Sequence, residues 1–180
     1  MKAVFTFGRM NPPTVGHDKL VNKIRTVARK EGGQPFIYLS QTQDKKKNPV
    51  NYNDKIKFAK KAFGSKLVVK TSAKTIIAVM QELEKKGYKD VILVVGSDRV
   101  SSFKDLLNKY NGKDYTFDSI TITSAGQRDP DADDVSGMSA SKMRQLAKDE
   151  EMDDFRNGLP SALQKNAKDV YNAVRNGMGL

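Results

Sequence analysis

Arg9, Thr14 and His17 fall within nine consecutive residues, and Ser139, Ser141 and Arg144 within six. His17 is the only histidine of the 180-residue chain. Hydroxyls and cations grouped in this way suit one task above others, the holding of phosphates. The groups gain most when they stand at a helix N-terminus, where unpaired backbone N–H groups and the positive end of the helix dipole converge.

The elements needed to position them can be read locally. Ala3 to Phe7 is a short apolar run rich in β-branched and aromatic residues, a buried strand. Gly8 ends it, Asn11-Pro12-Pro13 makes a tight turn, and Thr14 stands at an N-cap position. From there Val15, Leu20, Val21, Ile24 and Val27 recur at helical spacing, predicting a helix over 15–30. Such a junction is common in α/β proteins: Gly8 would then serve only for its backbone conformation, and His17 would be a packed ring. Ser139 is likewise a good N-cap for a helix running through Ala147, with Ser141 and Arg144 about one turn away. The plainer reading of that stretch is a well-capped surface helix.

Composition narrows the classes. A chain of this length suits one domain with a sizeable core. No apolar stretch approaches bilayer-spanning length, the N-terminus lacks a signal-peptide pattern, and a cytoplasmic setting is expected. With no cysteine there is neither a disulfide framework nor a thiolate metal site, and one histidine rules out a His-rich zinc site. The net charge is +11, from 32 Lys and Arg against 21 Asp and Glu. The lysines are spread and aromatics make up only 8%, so the charge reads as steering of polyanionic small molecules more than as a nucleic-acid stripe.

The remaining chain alternates strands and helices. Phe36–Leu39 is a second strand, joined to the first by a βαβ crossover. The polar loop 40–50, SQTQDKKKNPV, lies at a strand's C-terminal end, where open α/β sheets place ligands; a solvated charged loop is the alternative. The spacing predicts an amphipathic helix over 53–63, with Ile56, Ala59 and Phe63 inside and Lys55, Lys57, Lys60 and Lys61 outside. Leu67–Lys70 reads as a third strand and Thr75–Lys86 as a helix. Val91–Val95, continuously aliphatic, suits a central parallel strand covered on both faces. It runs into Gly96-Ser97-Asp98-Arg99, where Asp98 is either an N-cap or an acceptor for a ribose hydroxyl or base. Ser119–Ser124 is the last strand. The acidic loop 128–135 fails as an EF-hand, with Asp134 at the glycine position and Ala140 where glutamate is required. A final helix is expected over 161–175.

The turn Gly8-Arg9-Met10-Asn11-Pro12-Pro13-Thr14-Val15-Gly16-His17 resembles the T/H-x-G-H signature of nucleotidyltransferases related to class I aminoacyl-tRNA synthetases. Met138-Ser139-Ala140-Ser141-Lys142-Met143-Arg144 resembles the second fingerprint of the same superfamily, and follows roughly a hundred and twenty residues later, after the last strand. Two fingerprints in order are far more specific than either alone. The first is most similar to nicotinamide-mononucleotide adenylyltransferases. Met10 departs from their usual phenylalanine, and Thr14 from the first histidine, as in pantetheine-phosphate adenylyltransferases. Loop 40–50 with Asn48-Pro49 resembles the archaeal-type loop, with Asp54-Lys55 replacing Glu-Arg, so that a bidentate phosphate ligand becomes the point charge of Lys55. The likeness covers about the first 150 residues.

The resemblance implies a Rossmann-like, HUP-type open parallel sheet flanked by helices, a 1–150 core of a single domain with helices over 151–180. It implies AMP transfer from ATP to a phosphomonoester, releasing pyrophosphate. His17 and Thr14 would hold the α/β-phosphate bridge, with Arg9 assisting. Phe7, Gly8, Arg9, Met10, Gly16, Gly96, Asp98, Ser139, Ser141 and Arg144 would bind nucleotide. Asn11, Ser40 and Lys55 would face the acceptor. Mg²⁺ would arrive with ATP. Nicotinamide mononucleotide is the first acceptor to expect; pantetheine phosphate, a cytidylyltransfer, and a non-catalytic binding or virion-assembly role are the alternatives. A virus-encoded chain would work in the host cytoplasm, and self-association into a homo-oligomer stays open.

Overall fold

The computed structural model describes residues 1–126 and 138–180; the acidic loop 128–135 lies outside the described residues. Four strands, β1 (Lys2–Gly8), β2 (Gln34–Leu39), β3 (Asp90–Val95) and β4 (Ser119–Ser124), form one sheet in the order β2-β1-β3-β4. The helices are α1 (Gly16–Glu31), α2 (Tyr52–Phe63), α3 (Ile76–Lys85), α4 (Val100–Lys109), α5 (Ala140–Lys148), α6 (Met152–Gly158) and α7 (Ala167–Gly177). The architecture is α/β with a parallel sheet, helices and a helical C-terminal region, a Rossmann-like arrangement of the HUP type. Among the described residues no helix is long and apolar enough to cross a membrane.

The chain gathers into two compact units, divided at Phe7/Gly8, Lys19/Leu20, Tyr38/Leu39 and Val68/Val69. The first holds the sheet. β3 pairs in parallel with both β1 and β4, setting Phe5 beside Leu93 and Leu93 beside Ile122. Val91 to Val95 are all buried, as a strand covered on both faces requires. β4, with its SITITS alternation, leaves Ser119 and Thr121 exposed. Phe5, Tyr38, Val79, Met80, Leu83, Leu93 and Leu107 make one cluster, in which Phe5 and Tyr38 meet edge to face at 6.2 Å. Thr75 caps α3 by accepting from the Ala78 N–H.

The expected strand over 67–70 is not formed. Val69 donates one backbone hydrogen bond to Ile37 O at 2.9 Å. The chain then turns at Thr71, whose Oγ1 accepts from the Ala73 N–H. A short apolar run such as Leu67 to Val69 can satisfy burial without forming a ladder, and periodicity alone does not separate the two.

The second unit is helical. Phe58, Met143, Ala147, Phe155, Leu159, Leu163, Val170 and Val174 form its core, and Phe155 and Tyr171 pack edge to face at 5.6 Å. The helix expected over 161–175 is divided into a 3₁₀ segment, Ser161–Asn166, followed by α7. Near the end of α7, a Cβ on Gly177 would stand 1.9 Å from the Pro49 carbonyl oxygen. That close approach seats α7 on the end of the lysine-rich loop.

Candidate functional site

The second unit contains both hydroxyl-and-cation groups singled out in the sequence. Its first segment runs from Gly8 to Lys19. Gly8 has no positive φ, so its conformational freedom is not what the turn uses. A Cβ there would project into open space, with nothing within 4 Å. Met10 is the strained residue, at φ 41°, a left-handed conformation that costs a non-glycine residue about 1–3 kcal/mol. Its side chain, expected at the nucleotide, is buried.

Thr14 and His17 are tied at the entry to α1. The Thr14 backbone N–H donates to His17 Nδ1 at 2.9 Å, so Nδ1 is an acceptor and the proton of the neutral ring resides on Nε2. The Thr14 hydroxyl donates to Met138 O at 2.8 Å and accepts from the Gly16 N–H at 3.1 Å. Thr14 is 1% exposed. Its hydroxyl therefore joins the two motifs instead of facing solvent for a phosphate. Gly16 is required by the same junction, because a Cβ there would lie 2.4 Å from Met138 O. Gly16→Ala is expected to cost about 1–3 kcal/mol in chemical denaturation, the scale of an overpacked contact; an unchanged midpoint would show that Met138 yields freely.

Ser139 caps α5 as expected, accepting from the Lys142 N–H at 3.1 Å. Arg144, one turn on, donates from Nη1 to Asn11 O at 2.9 Å and from Nη2 to Ser141 Oγ at 3.1 Å. Burial pushes the Arg144 guanidinium pKa down, the charge of Arg9 adds to this, and Asp44 opposes it. Asn11 departs from its expected role at the acceptor. It is fully buried, its Nδ2 donating to Val50 O at 3.0 Å and its Oδ1 accepting from the Val50 N–H at 2.9 Å.

The lysine-rich loop is organised by Asp44. Its carboxylate accepts from the backbone N–H groups of Lys46, Lys47 and Asn48, and from Asn48 Nδ2 at 2.8 Å. The Asn48 side chain first, and then the backbone N–H of Lys47, hold its pKa far below the carboxylate range. The loop ends at Asn51, which caps α2 by accepting from the Asp54 N–H at 2.9 Å.

Lys55 corrects the amphipathic assignment. Helical spacing places it outside, yet it is 0% exposed. Its Nζ lies 3.4 Å from Ser40 Oγ, so two of the three residues expected at the acceptor do meet. Burial, with the nearby charge of Arg9 adding to it, lowers the Lys55 pKa to about 8. The charge of Arg9 thus reaches both Lys55 and Arg144. Among the described residues no cluster of His, Asp and Glu could hold a metal ion.

The remaining candidates belong to the first unit. Phe7 packs against its core. Asp98 is exposed within a 3₁₀ turn, Ser97–Arg99, and stands at the cap position neither of that turn, which is Gly96, nor of α4, which is Arg99. A Cβ on Gly96 would stand 2.8 Å from the Asp98 carboxylate, so the acid folds back over the glycine.

Residue types and spacing singled out Arg9, Thr14, His17, Ser139, Ser141 and Arg144. They did not single out the joining roles of Asn11 and Thr14, which depend on carbonyls far along the chain, at Val50 and Met138. An Asn before a proline and another Asn-Pro some forty residues on were the only signal. No curated protein matches the chain significantly. The family model described as cytidylyltransferase-like matches residues 5–146, a span running from β1 through Arg144, and the chain belongs to this family of nucleotidyltransferases.

Proposed function

We propose that the chain transfers AMP from ATP to a phosphomonoester, with nicotinamide mononucleotide as the leading acceptor. The observation that carries this reading is the junction of the two motifs. Thr14 bonds to Met138, and Arg144 to Asn11, bringing the start of α1 and the start of α5 together beside Arg9 and Lys55. Two helix N-termini and three cations suit a triphosphate.

In the proposed reaction an acceptor phosphate oxygen attacks the α-phosphorus in line. The new P–O bond forms as the bond from the α-phosphorus to the bridging oxygen breaks, and pyrophosphate leaves with that electron pair. A phosphate dianion is ionised at neutral pH, so no general base is needed. The protein's work is positioning and charge stabilisation. His17, donating from Nε2, is assigned to the α/β bridge. Lys55, expected at the acceptor, feels the charge of Arg9 as Arg144 does; it joins Arg9 and Arg144 in taking the departing charge, and the hydroxyls of Ser139 and Ser141 support them. Thr14 is assigned the junction itself. The donor set here is cationic and hydroxylic, so Mg²⁺ is expected to be carried by phosphate oxygens and water instead of a carboxylate cage. The acceptor assignment is supported by the GRMNPPT turn and the SQTQ–NP loop.

The test is pyrophosphate release from ATP and Mg²⁺ with nicotinamide mononucleotide, run beside pantetheine phosphate and beside CTP with phosphorylated alcohols. Release with the mononucleotide supports the full reading. Release with only another pair replaces the acceptor, and ATP binding without release by any pair overturns the enzymatic reading. Arg144→Ala is expected to weaken ATP binding about 10-fold or more, the scale of a hydrogen-bonded charge. Arg144→Lys should restore little, because one ammonium cannot span Asn11 O, Ser141 Oγ and a phosphate. Titration calorimetry reads both.

A further inference from the structure

Asn11 reproduces with its side chain what a paired strand offers with its backbone, one donor and one acceptor side by side. Nδ2 donates to Val50 O and Oδ1 accepts from the Val50 N–H. Both Asn11 and Val50 are buried, at 0% and 1% exposure, so these groups have no water to turn to if the pairing is lost. Aspartate cannot replace it, since a carboxylate would set an acceptor against the Val50 carbonyl. Leucine would leave both Val50 groups without partners.

What is clamped lies at the centre of the site. The Asn11 carbonyl receives Arg144 Nη1 at 2.9 Å, and Ser141 Oγ receives Nη2. On its other side Val50 immediately precedes Asn51, the cap of α2. Lys55 donates its backbone N–H to Asn51 O at 2.9 Å, in the first turn of that helix. The carboxamide therefore joins the stretches carrying Arg9 and Lys55, and the backbone carbonyl of the same residue holds the third, carrying Arg144. The neighbouring Met10 is held left-handed at φ 41°, a conformation that persists where its surroundings enforce it.

We infer that Asn11 is the positioning residue of the phosphate site: by clamping the first turn to Val50 it fixes the carbonyl that orients the Arg144 guanidinium. The inference rests on the phosphate-binding reading above, and it gives Asn11 no contact with substrate. Alanine at this position keeps the backbone carbonyl and loses only the clamp, so the loss of binding that depends on Arg144 comes through the carbonyl's placement.

The experiment measures inorganic pyrophosphate binding by titration calorimetry, with thermal denaturation of each variant alongside. Wild type should bind, and Asn11→Ala should bind about 10-fold more weakly while still folded. In an Arg144→Ala background the same substitution should change affinity by less than about 2-fold, because the group it acts through is gone. Losses that multiply in the double variant would overturn the inference, as would wild-type affinity in folded Asn11→Ala. If Asn11→Ala does not fold, Asn11→Ser, neutral and still offering one hydroxyl toward Val50, carries the same comparison. Failure of the wild type to bind pyrophosphate would instead remove the phosphate-binding reading, and the inference with it.

Discussion

Replacing His17 with alanine is expected to lower turnover roughly 10²- to 10³-fold, the scale for removing one preorganised donor from a developing charge. The expectation depends on the tautomer. The Thr14 N–H occupies Nδ1 at 2.9 Å, so the neutral ring carries its hydrogen on Nε2 and can only donate from there. A phosphate dianion needs no base, so the ring's value lies in that donated hydrogen bond as charge moves toward the pyrophosphate. The loss should therefore fall mainly on kcat, with a smaller change in KM for ATP. His17 is only half-buried, and the denaturation midpoint should move little. Steady-state pyrophosphate release with the accepted substrate pair measures the first quantity and thermal melting the second. Turnover equal to wild type would show that the ring takes no part in the chemistry. A collapse of stability would show it to be a packed core histidine.

Replacing Lys55 with methionine is expected to stabilise the free protein by about 3 kcal/mol at neutral pH while weakening ATP binding 10-fold or more. Folding lowers the Lys55 pKa from 10.5 to about 8, and each unit of difference corresponds to about 1.4 kcal/mol. The sign follows from proton binding. Between pH 8 and 10.5 the unfolded chain holds more protons than the folded one, so stability rises with pH across that window. Below pH 8 the full cost of the buried ammonium is present, and methionine removes it while filling similar space. An anion placed beside Lys55 reverses the balance, because it favours the charged form. Nucleotide binding by the wild type should therefore take up a proton near pH 8, and affinity should fall as pH rises from 7 to 9. In Lys55→Arg that fall should vanish, since arginine stays charged throughout. Calorimetry in two buffers of different ionisation enthalpy reports the proton directly. Binding without proton uptake, together with a Lys55→Met variant no more stable than wild type, would overturn this account.

These two residues show what local reading offers and where it stops. His17 announced itself as the lone histidine behind Gly16, in the first turn of a helix entered from a strand. Lys55 sat at a position that helical periodicity assigns to solvent, and only the tertiary structure placed it at 0% exposure, with Nζ near Ser40. Periodicity describes a helix against one flat partner. α2 begins where the lysine-rich loop ends, and Ser40, outside the helix, meets Lys55 there.

What the amino-acid sequence determined by itself was local and ordered. The aliphatic run 91–95 dictated a strand buried on both faces, Ser139 and Thr75 dictated helix starts, and the two fingerprints occurred in order at the spacing of a known family. Each depends on neighbours within a turn or on burial of a single face. The tertiary structure decided what depends on partners far along the chain. It left 67–70 outside the strands, with Val69 donating a backbone hydrogen bond to Ile37. It turned the Thr14 hydroxyl to Met138, 124 residues away, and the Asn11 carboxamide to Val50, 39 residues away. A hydroxyl or carboxamide is chemically competent for substrate or for structure. Which of the two it serves is settled by the donor or acceptor that folding leaves within 3 Å of it, and no local pattern encodes that distance.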